Sequence, residues 1–429
     1  MVFDLKLTNA SLADGTTGVD IGVSAGRIAA IEPRLEGEAA EVIDAEGQLV
    51  SAPFVDCHFH MDATLSLGLP RYNESGLLLE GIQIWGELKP LLTQEAVIER
   101  AMAYCDLAVS QGLLAIRTHV DICDDRLLGV EALLEVRRLV APYIDLQLVA
   151  FPQDGYYRSP GAVELLNRAL DMGVDVVGGI PHFERTMADG AASVEALCRI
   201  AADRNLLVDM HCDETDDPLS RHIETLTAQT QRLGLGGRVA GSHLTSMHSM
   251  DNYYVSKLLP LMAEAGVAAI ANPNINIGIQ GRHDSYPKRR GMTRIPEMLT
   301  YDITCAFGQD CMMDPWYSLG QADMLEVASM GLHVAQMTSR DAMRQCYAAV
   351  TTGPAKIMHL DGYGVEVGCK ADMVLLQATN PIDAIRLKAT RLAVIKSGRV
   401  ISRTAPRLSA LGLPGRPQRL DPSRVGPQA

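Results

Sequence analysis

Phe54-Val55-Asp56-Cys57-His58-Phe59-His60 is the stretch whose reading decides the fold. Its apolar residues mark a buried strand. It ends in two histidines, where a doubly wound open sheet would carry a glycine-rich phosphate loop. Further short apolar runs recur at 113–121, 144–151, 174–180, 206–211, 239–243, 267–272 and 303–310. Helically spaced segments lie between them, among them 94–109, 129–140, 163–171, 193–203 and 255–265. Buried strands alternating with amphipathic helices give a parallel sheet, and eight such units close a (β/α)8 barrel.

The flanks have a different rhythm. Residues 4–9, 19–23 and 27–31 alternate apolar and polar, with turns at Asp14-Gly15 and Ala25-Gly26. The pattern returns at 372–376, 394–397 and 399–402. Both chain ends therefore contribute to one small β-sandwich domain. The expected division is 1–52 and 356–404 for the sandwich, 53–355 for the barrel, and 405–429 for an irregular Pro-, Arg- and Gly-rich tail.

The 429 residues suit one large α/β domain plus a smaller one. With 47% hydrophobic and 21% charged residues, disordered and fibrous classes are excluded. Against 52 acidic residues stand 38 basic ones, a net charge of -14. Such a surface repels phosphate backbones, which argues against a nucleic acid polymer but not against a small neutral ligand. No apolar run reaches membrane-spanning length, and the first residues lack a basic segment followed by an apolar one. The nine scattered cysteines read as reduced thiols, so a cytoplasmic location is expected.

Polar residues collect at the C-terminal ends of the expected strands, where barrels keep their catalytic groups. His58 and His60, two apart on a strand, share a face. The fifth strand ends in His211, followed by Cys212-Asp213-Glu214; the sixth ends in Ser242-His243 and the eighth in Gly308-Gln309-Asp310. Taken singly, a buried His is an ordinary core residue and a strand-end Asp is a helix cap. Taken together, at successive strand ends around one opening, they are metal ligands and a base.

With these residues the chain resembles amidohydrolase-superfamily deaminases of the bacterial cytosine deaminase type. The resemblance spans nearly the whole chain. It rests on His58-Phe59-His60-Met61-Asp62, Glu80-Gly81-Ile82, Arg117-Thr118-His119-Val120-Asp121, Val149-Ala150-Phe151-Pro152-Gln153, Pro181-His182-Phe183-Glu184, His211-Cys212-Asp213-Glu214 and Asp314-Pro315-Trp316-Tyr317. It implies one divalent ion, Fe2+ or Zn2+, held by His58, His60, His211 and Asp310. Asp310 counts among the catalytic groups too. Glu214 is expected to shuttle a proton to the ring nitrogen, and His243 to orient or deprotonate the attacking water. Gln153 would bond the amide edge of a free pyrimidine base at O2 and N1. The backbone of Leu78 and the ring of Trp316 would line the base pocket. A divalent ion supplies hydroxide at neutral pH by lowering the pKa of water to about 7. Glu214, three residues past a ligand His, also fits a helix-capping carboxylate, but the spacing favours catalysis.

Residues 176–182 contain no Lys. Binuclear relatives such as dihydropyrimidinases place a carbamylated Lys there, so a mononuclear deaminase is expected. His182 is read as a supporting residue. Lys288-Arg289-Arg290 is read as a loop closing over the site rather than an anion clamp. Relatives of this fold commonly assemble, which leaves a homo-oligomer as an expectation.

The chain departs from the family after its eighth strand. Cytosine deaminases read Gly-His-Asp-Asp, and this chain reads Gly308-Gln309-Asp310-Cys311. In the family that last acid lies against ring carbon five. A thiol is uncharged and tolerates apolar contact, so Cys311 should admit a methyl group there. The expected reaction is deamination of 5-methylcytosine to thymine and of cytosine to uracil. An ordinary cytosine deaminase is the plainer reading, with Cys311 neutral. Another amino-substituted ring (isoguanine, creatinine or an aminotriazine) and a non-catalytic scaffold are the remaining alternatives. Gln309, in place of a family His, reads only as a change behind the ligands.

Overall fold

The computed structural model describes residues 2–425. Five strands precede the barrel: β1 (Phe3–Leu12), β2 (Val19–Ser24), β3 (Arg27–Glu32), β4 (Ala39–Asp44) and β5 (Leu49–Ser51). β1 is the hub. It pairs antiparallel with β2, and in parallel with β4 through its first half and β5 through its end.

The barrel strands are β6 (Phe54–Phe59), β7 (Leu113–Asp121), β8 (Asp145–Phe151), β9 (Val176–Gly179), β10 (Leu207–Cys212), β11 (Val239–His243), β12 (Val267–Ala271) and β13 (Cys305–Phe307). Each pairs in parallel with its neighbours in sequence. β6 and β7 are buried along their whole length, the signature of strands covered on both faces. Around them lie α1 (Leu78–Leu88), α2 (Gln94–Ser110), α3 (Leu128–Val140), α4 (Ala162–Asp171), α5 (Met187–Arg204), α6 (His222–Arg232), α7 (Asn252–Ala265), α8 (Pro273–Ile279), α9 (Ile295–Leu299), α10 (Met324–Val334), α11 (Arg340–Ala348) and α12 (Thr352–Ile357). Thr93, Thr186 and Ser339 cap α2, α5 and α11 through their hydroxyls, each accepting a backbone N–H.

The first and last strands close the ring. Phe59 and Asp310 form a parallel bridge. The His60 N–H donates to the Asp310 carbonyl at 2.9 Å, and the Asp310 N–H donates to the His58 carbonyl at 2.8 Å. The expected eighth strand, 303–310, is regular only over 305–307. Its continuation passes so close to β6 that a Cβ on Gly308 would sit 2.7 Å from His58 Cβ and 2.5 Å from Asn272 Oδ1. Asp310 then takes a left-handed turn, with φ 69°.

After the barrel come β14 (Met373–Leu376), α13 (Pro381–Leu387), β15 (Arg391–Lys396) and β16 (Arg399–Arg403). They join the first strands in one sheet, ordered β16-β15-β14-β5-β1-β2-β3. The sheet closes over Leu5, Leu7, Ile21, Val50, Met373 and Ile395. The chain is thus a (β/α)8 barrel with a β-sandwich built from both ends. α12 crosses the expected boundary at 355, because Ile357 and Met358 plug the barrel floor against Val55, Ala240 and Ala268.

The tail is more ordered than its composition suggests. β17 (Ser409–Ala410) and β18 (Arg419–Leu420) pair antiparallel. Gln377 clamps this ribbon, donating to the Arg407 carbonyl at 3.0 Å and to Asp421 Oδ1 at 3.1 Å. Residues 1 and 426–429 of the expected divisions lie outside the described residues. No helix among the described residues is long and apolar enough to cross a membrane.

Gly308→Ala forces a methyl group into the seam between the first and last strands. We expect a loss of about 1–3 kcal/mol, read as a lower urea midpoint with an unchanged slope.

Candidate active site

The barrel rim brings the expected ligands together. His58 Nε2 and His60 Nε2 lie 3.2 and 3.3 Å from the same Asp310 oxygen. His60 Nε2 lies 2.9 Å from His211 Nε2. His58, His211, His243 and Asp310 each offer a ligand atom, all within 4.8 Å of one another. His58, His60 and His119 form a second, overlapping trio. In the sequence His119 falls within a motif but is not named a candidate ligand, because it lies inside β7 rather than at its end. Its position two residues after Arg117 and two before Asp121 was the available signal, since all three share a face.

These buried groups carry more lone pairs than protons. His58 Nε2 and His211 Nδ1 have no hydrogen-bond partner. Burial pushes the His211 and His243 imidazoles well below their usual range. Burial opposes the Asp310 charge too, but the surrounding histidines, His243 first, hold that carboxyl well below the usual range. A buried anion ringed by imidazole nitrogens is a donor set suited to a divalent cation.

Beside the cluster opens a cavity of about 240 Å³. His60, His211, Glu214, Asp310, Gln153, Leu78, Cys311 and Trp316 all line it. His58 and His243, buried members of the cluster, do not line it. His182 lines the cavity as well. Sequence reasoning missed most of the apolar wall, made by Ile82, Ile180, Phe183, Ile275 and Ile279.

Glu214 lies at the junction of cavity and cluster. Its Oε1 is 3.1 Å from His243 Nδ1. Burial, and then the Asp310 charge, push its carboxyl well above the usual range. Asn276 Nδ2, from α8, lies 2.9 Å from the same His243 nitrogen and fixes the ring.

Cys311 and Trp316 belong to one loop. Asp314 Oδ1 accepts the N–H groups of Trp316 and Tyr317, each at 2.9 Å. Burial pushes the Asp314 carboxyl up to about 6, against the pull of those two N–H groups and of a hydrogen bond from the Cys311 thiol. A Cβ on Gly81, in α1, would meet Trp316 Cδ1 at 2.4 Å. Only glycine lets the indole approach that helix so closely. Arg289 is taken up within the fold: it binds Asp284 at 2.7 Å and donates to the Asp216 carbonyl at 2.8 Å.

The sequence model of the amidohydrolase family matches residues 41–402, and the chain belongs to that family. It is 29% identical over 410 residues to N-isopropylammelide isopropyl amidohydrolase of Pseudomonas sp. (strain ADP), covering 93% of this chain and 97% of that protein. It is 27% identical over 401 residues to pterin deaminase of Rhizobium rhizogenes, covering 92% and 90%. The solved structure of 5-methylcytosine deaminase from Klebsiella pneumoniae, liganded with 5-fluorocytosine, superposes with a TM-score of 0.91. The two share 41% identity, over 93% of this chain and 98% of that one. The protein is an enzyme, a hydrolase acting on a cyclic amidine, which sets aside the scaffold alternative.

His58→Ala and Asp310→Ala proteins should retain less than about one-tenth of the wild-type content of divalent metal after dialysis. His182→Ala should retain it in full, because His182 is in neither group of clustered ligand atoms. Metal analysis by plasma emission checks both.

Proposed function

We propose that the enzyme removes the exocyclic amine of free 5-methylcytosine to give thymine, and of cytosine to give uracil, releasing ammonia. The observation that carries this reading is Cys311. An uncharged thiol stands in the cavity wall, on the loop that also supplies Asp310 and Trp316. The likeness to 5-methylcytosine deaminase, at 41% identity, supports the same substrate.

His58, His60, His211 and Asp310 would hold one divalent ion, Fe2+ or Zn2+, whose chemistry is to supply hydroxide at neutral pH. The chain's own groups then act on the base. Gln153 bonds the amide edge and sets the ring's orientation. Trp316 and the apolar wall exclude water, which strengthens every polar contact inside. Attack at carbon four succeeds only if ring nitrogen N3 gains a proton. Glu214 takes up the proton released as water attacks and delivers it to N3, then carries the proton of the new C4 hydroxyl to the departing amine, so that the C4–N bond breaks with loss of ammonia. His243, held by Asn276, steadies Glu214 and orients the attacking water.

An acid at position 311 would place a charge against a methyl on carbon five, next to Asp314. A thiol instead leaves room for that methyl, whose burial contributes about 1 kcal/mol. The likeness to N-isopropylammelide isopropyl amidohydrolase makes an alkylamino-triazine the second substrate to test.

Steady-state ammonia release gives kcat/KM for both bases. Wild type should favour 5-methylcytosine. Cys311→Asp should lose at least about tenfold on 5-methylcytosine relative to cytosine, which corresponds to about 1.4 kcal/mol. An unchanged ratio would contradict the role of Cys311. Glu214→Gln should lower kcat by about 10²–10⁴ for both bases while still binding them, as isothermal titration would show.

A further inference from the structure

Beneath the ligand cluster lies a chain of polar side chains that the mechanism does not use. His58 Nδ1 lies 2.9 Å from Ser242 Oγ. The Ser242 hydroxyl donates to Asp209 Oδ1 at 2.6 Å. Arg117 Nη1 donates to Asp209 Oδ2 at 3.0 Å, and Arg117 Nη2 donates to the Ile357 carbonyl at 3.0 Å. All of these side chains are buried. The chain crosses the barrel interior, linking β7, β10 and β11 to β6.

Proton counting along it has one solution. Asp209, paired with a guanidinium, is an acceptor only. Ser242 has one hydroxyl proton, and the 2.6 Å contact needs it. The Ser242 lone pairs therefore face His58, so Nδ1 of His58 must carry its ring proton. The reverse arrangement would set a hydroxyl lone pair against a carboxylate oxygen. With the proton on Nδ1, the Nε2 lone pair is free, and Nε2 is the atom aimed at Asp310 without a hydrogen-bond partner.

We propose that Asp209 and Ser242 are positioning residues that fix the tautomer of His58 and thereby set the metal affinity of the site. Arg117 anchors the relay from the barrel floor. A hydrogen bond relayed from a carboxylate to the far nitrogen of a ligand imidazole orients the ring and strengthens it as a donor. His119 is a bystander to this relay; its Nε2 stands 3.7 Å from Asp209 Oδ1. The inference rests on the metal reading of the cluster and not on which base is the substrate.

The test uses the full chain, stripped of metal and labelled with 15N-histidine. His58 is assigned by comparison with His58→Asn. In wild type, His58 should show a protonated Nδ1 and a bare Nε2. Ser242→Ala should bind Zn2+ about 10–100-fold more weakly in competition with a chelator, measured on folded protein. Ser242→Thr, which keeps the hydroxyl, should restore binding. A protonated Nε2 in wild type overturns the proposal, as does Zn2+ affinity in Ser242→Ala equal to wild type. If Ser242→Ala does not fold, the wild-type spectrum alone decides. A wild type that binds no Zn2+, Fe2+ or other divalent ion would refute the metal reading, a failure distinct from that of the relay.

Discussion

His58 Nε2 and His60 Nε2 both face one Asp310 oxygen, at 3.2 and 3.3 Å, and His60 stands 2.9 Å from His211. Bringing so many lone pairs together out of water is unfavourable unless positive charge sits among them. Much of the fold can be understood as the frame that enforces this convergence. The barrel must close at Phe59 and Asp310, because the ligands belong to its first, fifth and last strands. Gly308 must lack a side chain, because the last strand passes against His58. Asp310 must turn left-handed to aim its carboxylate inward. The floor must be sealed, by Ile357 and Met358 for apolar contact and by Arg117 for charge.

One short loop supplies both the cluster carboxylate and part of the cavity wall. Asp310 belongs to the ligand-like cluster, its neighbour Cys311 forms cavity wall, and Asp314 pins the turn at Trp316 and Tyr317 by two backbone bonds. Trp316 in turn rests on α1 at Gly81. A change at position 311 therefore alters the wall without altering the ligand set.

The barrel was legible because its strands are buried on both faces, which leaves continuous apolar runs such as 113–121. His58, His60, His211, His243 and Asp310 stood out because strand ends are where polar residues break such runs. β4 was missed because it is a largely exposed strand whose residues show no alternation. β5 was missed because three residues are too few for a period. The relay under His58 was hidden for another reason. Arg117 and Asp209 lie inside buried strands, where a charged residue looks like an interruption. Each shares a face with the His two residues later, and only the closed barrel shows which partners they meet. Ile275 and Ile279 reach the cavity from α8, a short helix after β12 that no apolar periodicity announces.

On the proposed reading, one divalent ion at this cluster drives hydrolysis of an amino-pyrimidine. The most direct measurement is ammonia release from 5-methylcytosine by protein stripped with a chelator, then titrated with Fe2+ or Zn2+. The expected result is no activity without metal and a linear rise that saturates at one equivalent. Full activity in the stripped protein, or a rise that needs two equivalents, would contradict it.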